Sequence, residues 1–88
     1  YRMTRYRIYT ELKKKECLIE YLASRLEGYT VFYCDGYWLG SREDSLVIEY
    51  IAGRMGRVEV DNIAHWIKEH NNQQSVLVTQ EEVTVDYI

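Results

Sequence analysis

Tyr37 and Trp38, followed closely by Arg42, put two flat aromatic faces and a guanidinium fork into one short stretch of chain. Aromatic faces of this kind stack nucleic-acid bases, at about 1–3 kcal/mol per stacked base. A guanidinium can grip a phosphate with two parallel hydrogen bonds. A second run, Gly53-Arg54-Met55-Gly56-Arg57, falls just before a predicted helix. Its backbone amides and two arginines suit an anion at a helix N-terminus, although the Lys-Ser/Thr ending of a P-loop is absent. Tyr37, Trp38, Arg42, Arg54 and Arg57 are therefore the ligand-binding candidates. Each has a plainer reading: Trp38 as core or interface, Arg42 with Glu43 and Asp44 as a solvated turn, the Gly/Arg run as a connection.

Other chemistries find less support. His65 and His70 stand five apart on a predicted helix, too far round to share a metal, and His65 with Glu69 is an ordinary i, i+4 surface pair. Ser41 and Ser45 have no histidine placed to activate them. Glu43, Asp44 and Glu49 could pair for acid–base work, but a solvated turn and a strand edge account for them. No catalytic residue, metal site or cofactor is expected, and the chain is expected not to be an enzyme.

Eighty-eight residues make one domain, residues 1–88, with a small core and marginal stability alone. Nine tyrosines and no proline stand out. Tyrosine joins a large apolar area to a polar tip and is favoured at interfaces; strand propensity alone would also favour it. The formal charge is −3, which speaks against a dedicated duplex-DNA binder. The distribution is lopsided: Arg2, Arg5, Arg7, Lys13, Lys14 and Lys15 crowd the start, and Glu81, Glu82 and Asp86 the end. A basic end could steer an anion, or the two ends could complement each other across neighbouring strands or subunits. Cys17 and Cys34 fit no metal or redox spacing and read as small buried hydrophobes. No apolar run is long enough for a membrane span or a leader, so a soluble protein of the cytoplasm is expected. Either Met3 is the natural start, with two residues ahead of it, or residues precede Tyr1.

The candidates need elements to hold them. Arg5 to Thr10 alternates as a strand, with Tyr6 and Ile8 on one face and Arg5, Arg7 and Tyr9 on the other. A polar turn over Glu11–Lys15 leads into a helix ending near Arg25, in which Ile19, Leu22, Ala23 and Leu26 follow the helical template, and Gly28 stops it. Two strands follow, roughly Thr30–Leu39 and Ser45–Ile51, with Gly36 as a bulge or close-approach point. In the first, Val31, Tyr33, Tyr37 and Leu39 point one way and Phe32, Cys34 and Trp38 the other. Val60, Ile63, Ala64 and Ile67 mark a second helix, which Asn71-Asn72 can end in the left-handed conformation. Ser75–Thr79 is a strand, and Val83, Val85 and Tyr87 alternate in a continuation or a fifth strand across Gln80–Glu82.

The order β-α-β-β-α-β predicts an α+β, ferredoxin-like domain whose two helices cover one face of an antiparallel sheet. The other face carries Arg5, Arg7 and Tyr9 with either Val47 and Ile51 or Leu46, Ile48 and Tyr50. Either set is too apolar to stay in water. Self-association, as a homodimer or a higher closed assembly, is the expected relief. RNA-recognition domains share the element order, but Leu46–Ile51 lacks their Gly/aromatic core motif, so nucleic acid is disfavoured as a partner.

The segment Gly36-Tyr-Trp-Leu-Gly40-Ser-Arg-Glu43-Asp-Ser45-Leu-Val-Ile-Glu49 resembles a signature, G-Y-W-x-G-x-x-E-x-S-L-V-I-E, of a small family of phage-encoded proteins. The likeness extends over most of the chain, but only these positions are distinctive, and no established activity attaches to the family. It implies a small accessory protein in a bacterial host's cytoplasm. The expected role is anti-defence, by sequestering a nucleotide-derived anionic signal between self-associated copies. An inhibitor that docks a host protein by its aromatic hairpin or sheet edge is the alternative; a purely structural, oligomerising accessory is another.

Overall fold

The computed structural model describes residues 1–88 in the order β1 (Arg2–Glu11), α1 (Lys15–Arg25), β2 (Thr30–Trp38), β3 (Ser41–Ala52), α2 (Gly56–His70) and β4 (Leu77–Thr84). The strands form one antiparallel sheet in the order β2-β3-β1-β4. This is the ferredoxin-like arrangement expected from the element order.

Alternation in the two central strands decides which face is covered. Tyr6 and Ile8 of β1 lie opposite Tyr50 and Ile48 of β3, and Thr10 lies opposite Leu46. Tyr6, Ile8, Leu46 and Ile48 are buried, and with Leu18, Leu22, Leu26, Val60, Ile63 and Ile67 they form the core. Helix α1 thus presents the i, i+4, i+8 row Leu18, Leu22 and Leu26. This differs from the expected stripe, since Ile19 is only partly buried and Ala23 is exposed. Leu26, extended at φ −121°, ends α1 before Gly28 is reached, and its own side chain tucks into the core. In α2, Val60, Ile63 and Ile67 face the sheet as expected, while Ala64 sits at the margin.

At the start of α2, Gly56 packs where a β-carbon would lie 2.8 Å from Ala52 Cβ and 3.1 Å from the Tyr6 ring. The Tyr6 hydroxyl donates to Gly53 O (3.2 Å) and fixes the same loop. At its other end, Asn71 is buried and donates from Nδ2 to Thr10 Oγ1, Glu11 O and Gln73 Oε1, tying the helix to β1. Asn72 takes the left-handed conformation (φ 53°) that ends the helix.

Three local expectations are corrected. The hairpin turn is Leu39-Gly40, not the polar run after it: Ser41 to Asp44 pair with Trp38 to Asp35. Leu39 (φ 49°) and Gly40 (φ 79°) are both left-handed, the conformation of a two-residue type I′ turn whose twist matches the strands. Gly36 makes no bulge, because the register runs unbroken through Cys34–Ser45, Asp35–Asp44 and Gly36–Glu43; it is a close-approach point, where a β-carbon would overlap Ser45 Oγ. Residues 77–84 are one strand passing straight through Gln80–Glu82, and no fifth strand follows.

Candidate functional site

The uncovered face of the sheet carries Arg5, Arg7 and Tyr9 from β1 with Val47, Glu49 and Ile51 from β3, the first of the two sets left open by the sequence. Read across the strands, Phe32, Val47, Tyr9 and Leu77 line up as an apolar row. The next row is Thr30, Glu49, Arg7 and Thr79, and the one beyond holds Ile51, Arg5 and Glu81. Arg7 Nε donates to Glu49 at 3.0 Å, and Arg5 pairs with Glu81. The basic start meets the acidic end across β1 and β4 in one ion pair, Arg5 with Glu81. The bond to Glu49 raises the affinity of Arg7 for its proton, against a smaller opposing effect of burial. Arg5 Nε is buried without a partner. Arg5, Arg7, Thr79, Gln80 and Glu81 line a hollow of about 230 Å³. A second, of about 560 Å³, lies over His65, Lys68, Glu69, Asn72 and Gln73. Neither is walled by apolar side chains, unlike the usual small-molecule pocket.

The hairpin is the more exposed aromatic surface. β1 pairs with β3 only as far as Ser45, opposite Glu11. Beyond that point, Asp35–Trp38 and Ser41–Asp44 project as a two-stranded ribbon about 13 Å long. Tyr37 and Trp38 are each 70% exposed near its tip. They are successive strand residues and point to opposite faces, so in one copy they cannot stack on the same ring. Arg42 lies opposite Tyr37 but is already engaged. Its Nε donates to Asp35 (2.7 Å) and its Nη2 to Asp44 (2.6 Å), which together hold the guanidinium more firmly protonated than usual.

Arg54 and Arg57 lie elsewhere. β3 runs 12 residues from the hairpin tip to the loop before α2, roughly 40 Å of extended chain. Arg57 donates to Asp61 (2.8 Å) and to Gln80 Oε1 (2.6 Å). The structure therefore places the five candidates at two ends of the molecule, and within one copy it does not bring them together. Both cysteines are exposed, a correction to the buried reading. Cys17 points away from the row Leu18, Leu22 and Leu26, and Cys34 sits on an edge strand outside the helix layer. The aromatic strand β2 is that edge strand and stays largely exposed: Val31 packs half-buried against the core and Lys15 of α1 lies over the Tyr33 ring, but Phe32 and Tyr33 are 47% and 55% exposed.

Sequence reasoning missed a ring stack across the helices. Tyr21 of α1 stacks on Trp66 of α2 (4.4 Å between centroids), and Trp66 stacks on His70 (3.9 Å). The i, i+4 spacing of Trp66 and His70 was the available signal. No group of three or more His, Cys, Asp or Glu is placed to hold a metal, and no helix is long and apolar enough to cross a membrane.

No family model and no curated protein matches the sequence. Solved structures do match the fold. A phage SAM lyase in complex with S-methyl-5′-thioadenosine superposes with a TM-score of 0.72 at 17% identity, over 91% of this chain and 81% of that one. CPII, a nitrogen regulatory PII-like protein from Thiomonas intermedia K12 bound to ADP, AMP and bicarbonate, superposes at 0.68 and 17% identity, over 100% and 97% of the two chains. At such identity the likeness is one of fold. It nonetheless corrects the expectation that the chain is not an enzyme: a lyase is built on this same small sheet-and-helix frame, so the lack of a familiar catalytic motif in the sequence excludes no catalysis.

Proposed function

We propose that the chain binds an adenine nucleoside or nucleotide, and that it does so between self-associated copies. The observation that carries this reading is the fold shared over nearly the whole chain with CPII, solved with ADP and AMP, and with the phage SAM lyase, solved with S-methyl-5′-thioadenosine. A fold alone does not set a function, so the side chains must supply the rest. Tyr37 and Trp38 offer exposed stacking faces, and Arg54 and Arg57 offer cationic groups beside the first turn of α2. Because these lie at opposite ends of one copy, the complete site takes residues from two copies. Self-association also withdraws part of the exposed aromatic surface of β2 and its hairpin from water.

The resemblance of residues 36–49 to phage-encoded proteins, together with the phage origin of the lyase, supports an accessory anti-defence role inside an infected bacterium. There the chain would lower the free concentration of an adenosine-derived molecule, by holding it or by consuming it. Denaturing the protein purified from bacteria and analysing the released small molecules by mass spectrometry tests this. An adenosine-derived compound in stoichiometric amount supports it. An empty supernatant, with no binding of added AMP or S-methyl-5′-thioadenosine in equilibrium dialysis, overturns it.

A further inference from the structure

We infer that two copies join edge to edge through β2, antiparallel about a two-fold axis at Cys34, into one continuous sheet. This rests on the self-association proposed above and specifies its surface. The two edges of the sheet differ. β4 is guarded by Glu81 and Glu82, charges of the kind that deter edge pairing. β2 runs nine residues with no proline, no bulge and Asp35 as its single charge. It is an open pairing edge.

The register follows from the hairpin. A two-residue turn closes on a hydrogen-bonded pair, here Trp38 and Ser41, so the even-numbered residues of β2 bond to β3. The backbone of Asp44 confirms the alternation: its carbonyl accepts from Leu12 N at 2.8 Å, on the β1 side, and leaves Asp35 unbonded by β3. Val31, Tyr33, Asp35 and Tyr37 therefore direct their N–H and C=O groups outward from the edge. A second β2, laid antiparallel, can bond those same residues in several registers. The one centred on Cys34 overlaps the strand end to end, pairing Val31 with Tyr37 and Tyr33 with Asp35 of the other copy, about eight hydrogen bonds in all.

Side chains favour the same register. Phe32 comes opposite Gly36 of the second copy, so an aromatic ring covers a bare glycine. No like charges meet. Moving the axis by one residue toward the tip sets Asp35 against Asp35, and moving it the other way shortens the overlap. At the centre, Cys34 faces Cys34 in a non-hydrogen-bonded pair, where α-carbons are about 4.5 Å apart. That lies within the span a disulfide bridges, roughly 4.4–6.8 Å.

The test uses the full chain carrying Cys17→Ser, with diamide as the two-electron oxidant that takes up the two thiol protons. The expected result is a Cys34–Cys34 disulfide in most of the protein at low concentration, read by intact mass. Adding Tyr33→Pro removes an outward N–H at an edge position that tolerates proline. It should abolish the cross-link and reduce the light-scattering mass to that of one chain, with the far-ultraviolet dichroism retained. A dimer by light scattering that yields no Cys34 cross-link overturns the β2 contact and leaves self-association standing. A single-chain mass at every concentration overturns both, whereas the binding of AMP is measured separately.

Discussion

Leu39 pays a backbone penalty at the hairpin tip that its side chain does not recover. It is 89% exposed, and a left-handed leucine is disfavoured by roughly 1–2 kcal/mol. Leu39→Asn creates the Asn-Gly pair that type I′ turns prefer. It should raise the stability of the chain by about 0.5–1 kcal/mol in denaturant titration. The opposite sign is expected at Gly56. Ala52 Cβ, a fixed atom, lies 2.8 Å from where a β-carbon would sit, and the Tyr6 and Tyr50 rings close the other sides. Gly56→Ala should cost about 1–3 kcal/mol by overpacking, despite the better helix propensity of alanine, with the loss read in the same titration.

At the scale of elements, the junction between α2 and β1 is the most demanding polar feature. Asn71 is 6% exposed and its amide serves Thr10, Glu11 and Gln73 together. Asn71→Ala should cost about 1–3 kcal/mol by leaving Glu11 O and the Thr10 hydroxyl without that donor. Thr10→Val in the same background should recover part of that loss, a coupling that thermal denaturation of the double variant reads. Which elements form was legible in the residues, because Tyr6 and Ile8 in β1 and Val60, Ile63 and Ile67 in α2 carry clear periods of 2 and 3.6. Helix α1 was less so: Leu18, Leu22 and Leu26 compete with Ile19 and Ala23 for the buried stripe, and only packing against the sheet decides between them. The turn was misread because a polar run, Ser41–Asp44, imitates a loop. Its pairing with β2 is a long-range fact that local residue types do not carry. The candidate site was legible as a set of chemistries but not as a place. Tyr37 and Trp38 are adjacent in sequence yet face apart, and the pairing of Arg42 with Asp35 spans the hairpin.

Taken whole, the molecule is a sheet with one face under helices, the other bare, and a projecting aromatic ribbon at its edge. It shares this frame with nucleotide-bound CPII and with a lyase solved with a methylthioadenosine. If stacking holds the ligand, Trp38→Ala should leave the melting temperature of the dilute protein nearly unchanged, since the ring contributes no core burial. The same variant should weaken ligand binding by about 1–3 kcal/mol. The most direct measurement is calorimetric titration of the protein with AMP, ADP, S-methyl-5′-thioadenosine and S-adenosylmethionine, with the contents of each cell then chromatographed for turnover. Saturable heat with at least one adenosine compound, at no more than one ligand per chain, is the predicted result. Flat heats and unchanged compounds across the whole series would contradict it.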